Sequence, residues 1–264
     1  MLNLEYPLTR AQIGSYRKNG FICLRKVAAA SDIAVYRPKI QNAVAKKLNK
    51  DSASGETKAY GRYFGQVTNV WQLDAGLQPF IFAKRFARLA AILMGVSGVR
   101  LYHDQALFKQ AGGRNTPWHQ DQFYWPLDTV NTITLWMPLT EAPRESGTMS
   151  FAAGSHHEGS LISIAISEDS QTRFEELVAD RKYPIKDFSL HAGDATFHAG
   201  WTVHSAHANS SDATREVITI IYYADGTRIM DPDNENRKVD MEVFHPGQNA
   251  GEVAASPLNP LLYP

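Results

Sequence analysis

The spacing of apolar residues changes near position 99, and the two halves of the chain predict different kinds of structure. Before that point apolar residues recur three and four apart. Thr9 is placed to cap a helix carrying Ala11, Ile13 and Tyr16, and Asn19-Gly20 stops it. GFICL, Gly20 to Leu24, reads as a short strand. Ile33, Tyr36, Ile40, Val44 and Leu48 predict a second helix, capped by Asp32 and running to about Lys47, with Pro38 an imperfection near its start. The polar stretch NKDSASGET, Asn49 to Thr57, predicts a surface loop, and Phe80 to Met94 a third helix closed by Gly95. From Val99 onward the runs are short, apolar or alternating: VRLYHDQALFKQ, TITLWMPL, GTMSFAAGS, DFSLHAG, ATFHAGWTVHSA and EVITIIYYAD, punctuated by Gly, Pro, Asn and Ser. That texture predicts an all-β sandwich or barrel. The expected fold is mainly β with flanking α-helices: a helical N-terminal layer over residues 1–98, a jelly-roll core over 99–225 and a C-terminal extension over 226–264, all in one domain.

Composition narrows the function without naming it. The 264 residues are 44% hydrophobic, enough for one sizeable core. Lys and Arg number 27, as do Asp and Glu, so no charge excess points to nucleic acid or an anionic membrane. No run of about 18 apolar residues offers a membrane span, and the N-terminus lacks the basic-then-apolar pattern of a signal peptide, so a cytoplasmic protein is expected. Cys23 is the single cysteine, which excludes an internal disulfide and a cysteine cluster; within FICL it reads as a small hydrophobe.

Candidate chemistry concentrates in TPWHQDQFYWPLDT. On a strand, His119 and Asp121 would share a face about 6 to 7 Å apart. An imidazole with a carboxylate suits Fe(II), Mn or Zn. A third ligand is expected from far downstream. His204 is preferred over its neighbours His198 and His207 because Arg215 follows it by eleven positions (215 minus 204), roughly a turn plus a strand return. From there a guanidinium could point into the same barrel and grip a carboxylate with two parallel hydrogen bonds. His103, His156, His157 and His191 read instead as turn or surface residues.

Taken together, His119-x-Asp121, His204, Asn209, Arg215 and the intervening LWMPLTEAPRESGTMSFAAGSH resemble the phytanoyl-CoA dioxygenase family of Fe(II)- and 2-oxoglutarate-dependent oxygenases. The resemblance covers Val99 to Asp225 well and the N-terminal helices loosely. It implies a double-stranded β-helix (cupin-like) core, iron held by His119, Asp121 and His204, and 2-oxoglutarate on the iron with its distal carboxylate on Arg215. It further implies that dioxygen and the 2-oxo acid are consumed, giving succinate and CO2, while an unactivated C–H bond is hydroxylated. In related halogenases a small residue replaces the carboxylate, so Asp121 argues for hydroxylation, desaturation or ring closure.

Other positions follow more loosely. Trp136 and Thr134 lie on a strand where both could face the co-substrate, and Gln105 could bond its carboxylate. Relatives often carry a co-substrate serine where this chain has Ala206, so Ser205 or a water would substitute. Phe123, Tyr124, Trp125, Asn69 and Trp201 are candidates for the substrate mouth. The absence of a cationic patch for a CoA diphosphate favours a free small molecule, acted on by a monomer or homodimer. Two competing readings keep the barrel: a cupin-type metalloenzyme that does not use 2-oxoglutarate, and a catalytically silent jelly-roll binding protein.

Overall fold

In the computed structural model, which describes residues 2–53 and 63–264, the strands after residue 99 form two antiparallel sheets. The larger has the order β1 (Phe21–Leu24), β8 (Ala195–Ala199), β5 (Thr132–Pro138), β10 (Arg215–Ala224), β3 (Val99–Lys109) and β11 (Leu261–Tyr263), with β2 (Phe64–Thr68) also paired to β3. The smaller has the order β4 (Thr116–His119), β9 (His204–Ala206), β6 (Met149–Ala152) and β7 (Ile185–Asp187). This is a jelly roll, as the spacing of the runs predicts.

The central strand β10 explains the layering. REVITIIYYA is buried at every position through Tyr223, so the strand is covered on both faces. Its even-numbered residues Ile218, Ile220 and Tyr222 join Leu135, Phe197, Phe86 and Ile40 in a core beneath the helices. Each such side chain, fully buried, stabilises the fold by roughly 1.5–3 kcal/mol. The odd-numbered residues Arg215, Val217, Thr219, Ile221 and Tyr223 face the opposite way, where a cavity lies between the sheets. Pairing of β10 with β3 shifts register at Ile221/Tyr222, where Ile221 opposes His103 and Tyr222 opposes Leu101. Tyr102 is therefore the extra residue of a β-bulge.

The helical layer agrees with the expected pattern in part. Helix α1 (Arg10–Asn19) begins at Thr9 in a capping box with Gln12 and ends on Gly20, whose φ of 83° suits glycine. Of its expected face only Tyr16 is buried, and Ala11 is exposed. Helix α2 (Ala30–Ala53) starts two residues before Asp32, which sits in its first turn and accepts from the Ala29 N–H. It also runs past Lys47, so residues 49–53 of the expected loop are helical, and 54–57 lie outside the described residues. The third helix is interrupted. After α3 (Val70–Leu73) come α4 (Gln78–Ile81) and α5 (Lys84–Met94), the last buried through Phe86, Leu89, Ala90 and Leu93 and closed by Gly95 at φ 78°. DFSLHAG contributes only Asp187 to a strand and a lone bridge, Leu190 to Ala142. The short α3 and two longer helices, α6 (Glu168–Asp180) and α7 (Glu235–Phe244), lie outside the expected ones. Cys23 is half-buried, and burial pushes its thiol up to about 11. Among the described residues no helix is long and apolar enough to cross a membrane.

Candidate metal centre and its cavity

His119 and His204 are brought together by sheet register. They are directly opposed partners on β4 and β9, with ring centroids 4.1 Å apart. Asp121 is not on the strand. The chain leaves β4 at His119, and Asp121 opens a 3-10 turn, Asp121–Phe123. The carboxylate still returns to the imidazoles: its Oδ1 lies 3.4 Å from His119 Nε2 and 3.5 Å from His204 Nε2. One ligand atom from each residue falls within 4.8 Å of the others, a group able to hold a metal ion.

Hydrogen bonds fix which atoms face inward. His119 Nδ1 lies 2.7 Å from the Pro117 carbonyl and His204 Nδ1 2.8 Å from that of Thr202. A carbonyl only accepts, so each Nδ1 carries the hydrogen and each Nε2 presents a lone pair to the centre. Asp121 Oδ2 accepts from Thr134 Oγ1 at 3.1 Å and from His198 Nε2 at 3.2 Å. His198 thus orients the acid instead of joining the group. Burial pushes the Asp121 carboxyl up, but His204, His119 and His198 outweigh it and hold the group well below the usual carboxylate range. Burial, reinforced by His119, pushes His204 well below the ordinary imidazole value. Both are thus in the protonation state a metal requires.

Arg215 lines the same cavity at the start of β10. It is 2% exposed, donates to the Gly147 carbonyl and lies 5.4 Å over the Trp136 ring, while its Nε has no hydrogen-bond partner. Gly147 cannot be replaced freely: its φ is 89°, and an added Cβ would come 2.7 Å from the His207 carbonyl. Opposite Arg215 in register is Lys109, 1% exposed, whose Nζ donates to the His207 carbonyl at 2.8 Å. Burial, helped by Arg215, pushes the Lys109 ammonium down to about 7, and burial alone pushes Arg215 down to about 9. Neither cation has an acid partner among the described residues. Two buried cations without a counter-charge are costly, and their placement fits an anionic group supplied from outside.

The cavity, of about 390 Å³, runs from Arg215 past the His–Asp–His group to Tyr124, Trp125 and Phe244. Trp136, Thr134 and Gln105 line it, although Thr134 is committed to Asp121 and Gln105 accepts from Gln66 at 2.6 Å. Ser205 and Ala206 line it as well. Phe123, Asn69 and Trp201 do not. Phe123 is buried edge-on against Tyr124, 5.1 Å between ring centroids. Asn69 caps α3 at φ 51°, where its N–H donates to the Asp104 carbonyl at 2.8 Å. Trp201 lies outside the lining, and its carbonyl accepts from Gln120 Nε2 at 2.6 Å. His207 is not in the group: its Nε2 lies 2.9 Å from Ser150 Oγ and 3.3 Å from Asp187 on β7.

Several lining residues escaped the sequence reading. His103, expected at a surface or turn, is a buried residue of β3 facing the cavity. Its place two residues before Gln105 on the same strand was a usable signal. Thr116 begins the strand that ends in His119, and Lys109, which does not itself line the cavity, ends the strand that carries Gln105. Ile166, Asp240 and Phe244 come from segments with no sequence link to the centre.

Comparison with known proteins agrees with this architecture. A jelly roll with two histidines and an aspartate facing one cavity and a buried arginine at its end has the build of an Fe(II)- and 2-oxoglutarate-dependent dioxygenase, and this chain is of that class. The family model for phytanoyl-CoA dioxygenase (PhyH) matches residues 16–217. The chain belongs to the phytanoyl-CoA dioxygenase family. It is 24% identical over 239 residues to the 2-aminoethylphosphonate dioxygenase of an uncultured bacterium (HF130_AEPn_1), covering 87% of this chain and 88% of that one. Among solved structures it is similar to SnoK, a non-haem α-ketoglutarate-dependent carbocyclase of nogalamycin biosynthesis, with TM-score 0.77, 22% identity and 96% of each chain covered. It is also similar to the epimerase SnoN in complex with Fe3+, α-ketoglutarate and nogalamycin RO, with TM-score 0.72, 24% identity, and 96% and 97% covered.

Proposed function

We propose that this chain hydroxylates an unactivated C–H bond of a free small molecule, acting as one domain, with His119, Asp121 and His204 as iron ligands and Arg215 as the co-substrate anchor. The observation that carries the reading is that the two histidine Nε2 atoms and Asp121 Oδ1 face the same cavity as a buried guanidinium with an unpartnered Nε. The donor set of two imidazoles and one carboxylate suits Fe(II) and leaves room for further ligands. Bound iron supplies dioxygen activation coupled to oxidative decarboxylation of 2-oxoglutarate to succinate and CO2.

The protein's own side chains provide position and exclude water. The Pro117 and Thr202 carbonyls hold the imidazole tautomers, while His198 and Thr134 hold the second oxygen of Asp121. Arg215, stacked over Trp136, presents a planar donor fork to the distal carboxylate of the 2-oxo acid. The retained carboxylate at Asp121 occupies the position a halide would need, which favours hydroxylation. Anaerobic protein given Fe(II) and 2-oxoglutarate, then exposed to oxygen, should form succinate in proportion to oxygen consumed. A jelly roll working without the 2-oxo acid would form none, whether as a cupin-type metalloenzyme or as a silent binding protein.

A further inference from the structure

The cavity has a second polar group, remote in sequence from the metal centre. Asp240, on α7, lines it together with His103 and Phe244. The bulge in β3 makes this possible. By adding one residue it turns both Tyr102 and His103 inward, and their rings lie 4.9 Å apart beneath the helix. Tyr102 is fully buried, and its hydroxyl donates to Asp240 Oδ2 at 2.8 Å. Asp240 Oδ1 has no hydrogen bond among the described residues, and no lysine or arginine forms a salt bridge with the carboxylate. Burial pushes this carboxyl up to about 7 despite the bond from Tyr102. Around it the walls are aromatic and aliphatic: Phe244 stacked on His103 at 4.2 Å, with Tyr124, Trp125 and Ile166. Arg215, at the co-substrate end, is the one lysine or arginine lining the cavity among the described residues.

We propose that Asp240, oriented by Tyr102, is the substrate-recognising residue, and that it selects a compound bearing an amino group on an apolar, ring-containing body. The inference rests on the reading of this cavity as the active site of a dioxygenase. An anion placed beside Asp240 would meet a carboxylate and no lysine or arginine among the described lining residues. An ammonium would find the free oxygen of Asp240 and an aromatic wall, both of which favour a cation.

The test compares four probes sharing one phenyl group: 2-phenylethylamine, 2-phenylethanol, 3-phenylpropionate and 2-phenylethylphosphonate. Binding is measured by calorimetry to the wild-type protein, with and without Fe(II) and 2-oxoglutarate under nitrogen. The amine should bind about tenfold or more tighter than the carboxylate and the phosphonate, the worth of one charge-assisted hydrogen bond. Asp240→Asn should abolish that order. Tyr102→Phe, which keeps the ring, should weaken it by a smaller factor. The inference is overturned if the amine binds no tighter than the anions or the alcohol, if no probe binds, or if the order survives in Asp240→Asn. The visible Fe(II)–2-oxoglutarate charge-transfer band of the wild type is recorded in parallel. Its absence would count against the proposed reaction, whereas the ranking of the probes still decides the role of Asp240.

Discussion

The two ends of the cavity are built differently. At one end Arg215 and Lys109 face each other in register across β10 and β3, and Gly147 packs against both. At the other, Asp240 and Phe244 come from α7 and Ile166 from the segment before α6, set against His103 and Ile221 of the core strands. The first end is cationic and set by the hydrogen-bonded ladder of the jelly roll; the second is acidic and aromatic and set by packing of appended pieces. On the proposed function the co-substrate needs a fixed grip, and sheet register supplies one. A variable substrate is read by segments that can change without disturbing the ladder.

The largest expected effect lies between the two ends. His119→Ala or His204→Ala should bring iron content and succinate formation below detection while far-UV circular dichroism stays unchanged; loss of the fold instead would mean that the histidines are structural. Next, Arg215→Lys should raise the KM for 2-oxoglutarate by about 10–100-fold with little change for the primary substrate, because one of two charged hydrogen bonds is lost. Equal damage to both constants would dissolve the distinction between the ends.

Lys109 sharpens that distinction through pH. Its ammonium is pushed down to about 7, below the ordinary 10.5. Between those values the unfolded chain binds the proton that the folded one releases, so this group makes stability rise with pH across the window. Lys109→Met should flatten that rise in a series of thermal melts and raise the 2-oxoglutarate KM by a few-fold, about 1 kcal/mol or less, the worth of removing a charge set behind the cavity wall. An unchanged pH slope would show that Lys109 binds its proton alike in the folded and the unfolded chain. The smallest effect belongs to Asn69→Gly. It relieves a left-handed φ of 51° outside the cavity, so stability should shift by less than about 1 kcal/mol and succinate formation should not change.

These two ends also differed in how readily they were read from the sequence. His119, Asp121, His204 and Arg215 lie on short runs with marked spacing, and strand alternation places Thr134, Trp136 and Gln105 on the cavity face. The expected strand geometry for Asp121 was wrong in detail, because the chain turns into a 3-10 helix to bring the carboxylate back over His119. Spacing ranks His204 above His198 only through its interval to Arg215. What separates them is pairing: His204 opposes His119 across β9 and β4, whereas His198 reaches Asp121 from the other sheet. Asp240 was illegible because ENRKVDMEVF carries no motif or spacing that ties it to the centre. Nor does anything local announce that a bulge 138 residues earlier turns Tyr102 toward it. Asn69 and Trp201 are mouth candidates by sequence, yet Asn69 sits at the cap of α3 and Trp201 lies outside the lining, its carbonyl bonded to Gln120.

The most direct measurement is a crystal structure of the protein with Fe(II) and 2-oxoglutarate grown without oxygen, with the iron located by its anomalous signal. The expected result is iron bonded to His119 Nε2, Asp121 Oδ1 and His204 Nε2, with the distal carboxylate of the 2-oxo acid on the Arg215 guanidinium. Iron bound through His198 in place of His204, or the co-substrate carboxylate lying at the Asp240 end, would contradict it.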